Sequence, residues 1–234
     1  MKLSINHKLI QKNKRISQII LYTSLALLLI GFLLTINNKD LSQTLYAYLI
    51  LIPAYILVQV SIYMANRWGR SPRPDEIILQ SLKGMDDRFT LYTYTTKIPF
   101  LLLGPAGLFI IKPYHQSGTI TYNSAKSHYE QKKGGNFITR LFGQESIPDI
   151  EKESKYFLKQ FEKYISNQKL DIEIAPKIIN VFFSEKADIQ AKNAPEVTIH
   201  TDRLKDFIRQ QSKSATLSEE EVKRIRLQLP NPDN

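Results

Sequence analysis

None of the 234 residues is cysteine. That excludes disulfides and any zinc or iron–sulfur site built on thiolates, and it fits a reducing compartment. Glycine is sparse, with nine in the chain. Gly104-Pro105-Ala106-Gly107 lacks the lysine and the length of a phosphate-binding P-loop. A Gly-x-Ser-x-Gly nucleophile elbow is also missing. Histidine is scarcer still. His7, His115, His128 and His200 follow no zinc spacing and read as surface or loop residues.

Charge is missing altogether from residues 16–36 and 41–64. At 1.5 Å per residue these stretches span roughly 31 and 36 Å as helices, against a hydrocarbon core of about 30 Å. Only Asn37-Asn38-Lys39-Asp40 separates them, so the two form a hairpin. The first stretch is too long for a signal-peptide core, and no small-x-small cleavage site follows it. Neither stretch holds an acid or a base that could move an ion. Pro53 and Gln59 fit a tolerated proline and a helix–helix hydrogen bond.

The net charge of +10 suggests nucleic acid until it is divided. Residues 1–74 carry nine Lys/Arg and one acid, Asp40, a net of +8. The remaining 23 basic and 21 acidic residues leave only +2. Basicity therefore flanks the apolar stretches. Lys2, Lys8, Lys12, Lys14 and Arg15 precede them, and Arg67, Arg70 and Arg73 follow. The positive-inside rule then places both termini in the cytoplasm, with Tyr63 and Trp68 at the membrane interface. The expectation is an integral protein of a bacterial plasma membrane, in contact with the lipid bilayer through residues 16–64.

Arg70-Ser71-Pro72-Arg73-Pro74 reads as a linker. Beyond it the pattern predicts a helix over 75–82 that turns Ile78, Leu79 and Leu82 to the core and ends at Gly84. A strand over 89–94 follows. A β-hairpin over 98–103 and 108–112 turns at Gly104-Pro105-Ala106-Gly107, and 118–122 adds a third strand to the meander. Residues 125–145 read as a loop with at most one helical turn, whose Phe137-Ile138-Thr139-Arg140-Leu141-Phe142 either packs on the domain or dips into the membrane surface, and whose Lys132, Lys133 and Arg140 are either solvated or in contact with anionic lipid or nucleic acid. Pro148 opens a helix running to 168, with Asp149, Glu151 and Glu153 at its positive end. Strands at 177–184 and Val197–His200, a helix over 201–211 and a last helix over 217–229 complete the chain. Ser218 and Glu221 are spaced as a capping box. The fold class is α/β, a mixed sheet flanked by helices, plus an N-terminal transmembrane helical hairpin. The divisions are a basic arm 1–15, the hairpin 16–64, a linker 65–74, a soluble domain 75–211, and a C-terminal helix and tail 212–234.

Over residues 72–211 the chain resembles the nuclease-related domain, a module with a restriction-endonuclease-like core. The resemblance rests on Asp75-Glu76 in an opening helix and on Leu101-Leu102-Leu103-Gly104-Pro105-Ala106-Gly107. It extends to Leu108-Phe109-Ile110-Ile111 and Ser117-Gly118-Thr119-Ile120, and to the proline-started helix and the strand after it. It implies carboxylates around a divalent metal, assisted by a lysine. They come from the opening helix, from the start of the first hairpin strand, and from an acid-x-lysine pair ending the second. Only Glu76, or its neighbour Asp75, survives. Pro99 stands at the strand start, and Lys112-Pro113-Tyr114 replaces the acid-x-lysine pair. One carboxylate cannot hold Mg²⁺. The sequence therefore assigns no catalytic, cofactor-binding or metal-binding residue. It points to a membrane-anchored, inactive nuclease-related module that binds a protein or nucleic-acid partner. Two alternatives stay open: a nuclease with a rearranged site using Asp86, Asp87 or Glu130, and an accessory subunit of a membrane complex.

Overall fold

A computed structural model describes residues 1–37, 41–135, 146–214 and 216–230. The chain divides into two compact units, residues 7–73 and residues 1–6 with 74–234.

The first unit is a pair of helices, α1 (His7–Asn37) and α2 (Leu41–Met64), continued by a turn of π-helix, Ala65–Gly69. α1 begins nine residues before the uncharged stretch, because Lys8, Lys12, Lys14 and Arg15 are good helix formers and need not lie in an apolar layer. Both helices are long and apolar enough to cross a membrane. Only 11% and 17% of their most apolar windows are buried, so their side chains face outward, unlike those of a helix in a soluble core. Ile19, Leu25, Phe32, Leu49 and Ile56 are all more than half exposed.

What the two helices bury is a seven-residue repeat of mostly small side chains. On α1 it is Ile10, Ser17, Ser24 and Gly31. From α2 into the π-turn it is Ala47, Ala54, Ser61 and Trp68. A heptad keeps one seam facing the partner helix, and small residues let backbones approach closely. A Cβ added to Gly31 would lie 2.6 Å from Leu51 Cδ2. Trp68 is 6% exposed and continues this repeat. The Gln59 Nε2 is buried without a hydrogen-bond partner among the described residues, so the expected helix–helix hydrogen bond is not donated by that nitrogen. Pro53 is accommodated, since α2 runs through it.

The second unit carries a six-stranded sheet in the order β1-β2-β3-β4-β7-β9 and a three-stranded sheet in the order β6-β5-β8. The strands are β1 (Lys2–Ile5), β2 (Thr90–Thr93), β3 (Phe100–Gly104), β4 (Gly107–Tyr114), β5 (Gly118–Asn123), β6 (His128–Lys132), β7 (Lys177–Phe182), β8 (Ala187–Gln190) and β9 (Val197–His200). The helices are α3 (Pro74–Ser81), α4 (Ile150–Gln168), α5 (Leu204–Lys213) and α6 (Glu219–Gln228), with a 3₁₀ turn at Thr201–Arg203.

β3 and β4 form the antiparallel hairpin, closed by the Gly104–Gly107 pair. Gly107 has φ +112, open only to glycine at low cost. A Cβ on Gly104 would collide with the Phe89 ring. β4, β7 and β9 run parallel to one another, with α4 as the crossover between the first two. Every residue of β4 but Pro113 is buried, as expected for a strand covered on both faces. Along it Leu108 and Ile110 enter a core that holds Phe161 of α4 and Val222 and Ile225 of α6.

Several expected boundaries move. Residues 1–6 are not part of a basic arm: β1 pairs in parallel with β2. Four residues with one lysine carry too little pattern to be read as a strand. The strand at 118–122 does not join the meander, because Gly118 (φ +88) turns the chain away and β5 pairs instead with β6 and β8. Residues 128–132, expected as loop, form β6; residues 136–145 of that segment lie outside the described residues. Pro148 precedes α4 rather than opening it, since Asp149 is the N-cap and its side chain accepts from Lys152 N. The C-terminal helix is no appendage. Its capping box is formed, and Val222 and Ile225 are buried in the core.

Candidate functional site

The residues singled out in the sequence lie on or beside α3, β3 and β4. Asp75 and Glu76 lie in the first turn of α3, Pro99 just before β3, and Lys112 and Tyr114 at the end of β4. Strand register then sets Lys112 beside Asn180 of β7, and Asn180 beside Thr198 of β9. A row of polar side chains thus crosses three parallel strands whose neighbours are apolar. The first turn of α4 covers it.

Lys112 is 4% exposed. Its Nζ donates to Ile150 O and to Ser154 Oγ, both at 2.9 Å, and lies 3.7 Å from Glu153 Oε2. Tyr114, two residues on and hence on the same face, donates to that Glu153 oxygen at 2.8 Å. Ser154 Oγ lies 2.6 Å from Glu196 Oε2, which also accepts from Asn180 Nδ2 at 3.0 Å. Tyr129 reaches in from β6, its hydroxyl 2.8 Å from Thr198 Oγ1 and 3.3 Å from Asn180 Nδ2. Tyr122 beside it donates to Glu151 Oε1 at 2.7 Å.

The electrostatics follow from burial. Loss of water pushes the Lys112 ammonium down to about 8, against the pull of Glu153 and Glu196. Burial, and then the Glu153 carboxylate, raise the Tyr114 phenol far above its usual value. A cation at the positive end of a helix is unfavourable by itself. Asp149, Glu151 and Glu153 offset both the helix end and the ammonium.

The chemistry open to this cluster is narrow. A lysine with a lowered pKa beside a serine hydroxyl has the makings of a base and a nucleophile. But Ser154 is 1% exposed, inside a helix, with its oxygen committed to Ile150 O, Glu196 and Lys112. No substrate reaches it. The arrangement instead fastens the first turn of α4 to the sheet.

The other acids stand apart from this cluster. Asp86 is gripped by Arg88, with Nη2 2.7 Å from Oδ2, and this pairing holds its carboxyl below the usual range. Asp87 pairs with the Met1 amino group at 2.8 Å. Glu130, on β6, accepts from Asn123 at 2.7 Å and lies 3.5 Å from His128 Nε2. The structure does not bring the three together. Among the described residues no group of three or more histidines and acids is placed to hold a metal ion. His200 serves its own turn, with Nδ1 3.0 Å from Asp202 Oδ2 and Nε2 3.1 Å from Ser184 O. His115 lies near the Phe183 ring. A shallow hollow of about 260 Å³ between the end of α3 and α5 is lined by Arg88, Arg209 and Lys213. Arg88 is answered by Asp86, and Arg209 by Gly84 O at 3.3 Å.

Asn180, Ser154 and Glu196 are invisible as site residues in the sequence alone. The one signal available is Asn180 itself, a polar residue inside the otherwise apolar Ile178-Ile179-Asn180-Val181-Phe182. No family model matches the chain, and no curated protein or solved structure matches it either.

Proposed function

We propose that this protein is a membrane-anchored member of the nuclease-related group in which the metal site has become an internal ion pair, leaving a binding module without phosphodiester chemistry. The observation that carries the reading is the Lys112 ammonium, 4% exposed and held by Ile150 O, Ser154 Oγ and Glu153. A metal ion there would meet a fixed positive charge. The hairpin closed by Gly104 and Gly107, and the parallel β4–α4–β7 crossover, support the kinship.

The two exposed apolar helices anchor the module in a bilayer, and their basic flanks favour the cytoplasmic side for both ends. The near-balanced charge of residues 75–234 favours a protein partner over the backbone of a nucleic acid.

The test is cleavage of plasmid and linear DNA by the full chain in mild detergent with Mg²⁺ or Mn²⁺. The expected result is no cleavage above buffer. Robust cleavage abolished by Glu76→Ala would overturn the reading.

A further inference from the structure

β1 and β2 belong to one sheet, yet both apolar helices lie between them in the chain. Asn6 is the sole residue between the end of β1 and the start of α1. The hairpin is therefore an insertion inside the soluble domain, not an extension ahead of it.

The pairing is specific. Lys2 N donates to Phe89 O at 2.8 Å and Asn6 N to Thr93 O at 3.0 Å. The two-residue period of a strand then turns the Ser4 amide toward β2 as well, and the Leu3 and Ile5 amides outward. On β2, Tyr94 N donates to Pro99 O on the β3 side. The same period points the Leu91 and Thr93 amides at β1. Side chains reinforce the seat: Ser4, 1% exposed, donates to Pro230 O at 3.2 Å, and Asn6 Nδ2 donates to Tyr94 O at 3.3 Å. With β1 in place β2 is an interior strand, and Thr90, Leu91 and Tyr92 are fully buried. Without it, an apolar edge with unpaired backbone groups is left open, which is an aggregation hazard.

We infer that β1 acts as a topology latch: the soluble sheet is completed only when the hairpin inserts with both of its ends on the side of the soluble domain. The inference rests on the membrane reading above. β1 is synthesised first, the hairpin second and β2 last. A hairpin whose first helix entered with the opposite orientation would leave residues 1–6 across the bilayer from their seat. The cations Lys8, Lys12, Lys14 and Arg15 bias α1 against that orientation, and β1 makes the soluble fold depend on the outcome.

Two measurements on the full chain decide it. In the first, amide hydrogen exchange is followed in mild detergent for Ser4→Pro, which removes an inward donor, and for Leu3→Pro, which removes an outward one. Exchange at Leu91 and Thr93 should quicken at least about tenfold in Ser4→Pro and stay near wild type in Leu3→Pro. Spread of the loss to Ile110 in β4 would mean that the whole sheet depends on the latch. Unchanged protection at Leu91 and Thr93 in Ser4→Pro overturns it. In the second, single cysteines are placed at the exposed Lys2 and Lys155 and labelled with an impermeant maleimide in sealed vesicles. Labelling from one side only, the same for both, is expected. Labelling from opposite sides overturns the latch. Release of the wild-type chain from membranes by alkaline carbonate would instead sink the membrane reading.

Discussion

Lys112 Nζ and Ser154 Oγ lie 2.9 Å apart, from β4 to α4, in an interior where the two residues are 4% and 1% exposed. The contact joins the end of a central strand to the first turn of the crossover helix that follows it. Its energetics are those of a buried charge. The gain is modest while every partner is in place, and the loss is large when one is removed.

Lys112→Ala should therefore destabilise the second unit by about 2–5 kcal/mol, because a cavity opens and the buried Ile150 O and Ser154 Oγ lose their donor. Lys112→Met, which keeps the volume, should cost clearly less. Denaturation midpoints of the full chain in detergent, followed by circular dichroism, would rank the two. Equal losses would mean that the charge, lost in both variants, rather than the cavity decides.

The depressed lysine also fixes a pH dependence. In the folded state Lys112 releases its proton at about 8, against an ordinary 10.5 when unfolded. Between those values the unfolded chain binds more protons, so the stability contributed by this group rises with pH; below 8 it is flat. Wild type should gain on Lys112→Met by roughly 1 kcal/mol from pH 7 to 9. A constant difference over that range would remove the buried cation from the account.

The helix seam makes a third expectation. Ala54 is fully buried and Ile52 is 61% exposed. Ala54→Leu should force α1 and α2 apart and lower the thermal midpoint of the full chain in detergent, at a cost of about 1–3 kcal/mol. Ile52→Leu should leave it within about 0.5 kcal/mol. Similar midpoints for both variants would show that the heptad does not hold the pair together.

At the β3–β4 turn, Gly104→Ala should destabilise by about 1–3 kcal/mol through the clash with Phe89. Gly107→Ala should lose a comparable amount by strain at φ +112. The double variant Gly104→Ala with Phe89→Leu should recover part of the first loss, because the ring that meets the added Cβ is gone. Urea midpoints of the four proteins make the comparison.

Long-period features were the legible ones. Two charge-free stretches, the glycine-bounded hairpin and the apolar stripe of α4 each repeat a signal over many residues, and each stands where its pattern put it. Short strands were legible only in part. Val197–His200 stood where its β-branched residues put it, whereas Lys2–Ile5 and Ala187–Gln190 carry a weaker apolar signal and β6 is built from polar side chains. The sheet change at Gly118 was hidden because strand partners are chosen in three dimensions. The polar row escaped for a related reason. Lys112 was visible as a charge at the end of an apolar strand, but Asn180, Ser154 and Glu196 acquire their meaning from register and from the packing of α4 on the sheet.

Ser4 Oγ donates to Pro230 O across 226 positions of chain. Seen as stitching, the first strand and the segment after the last helix close one seam of the second unit. A cut or a bulky graft at either extremity should fray the same corner, and a footprinting reagent should find residues 2–6 and 229–230 losing protection together.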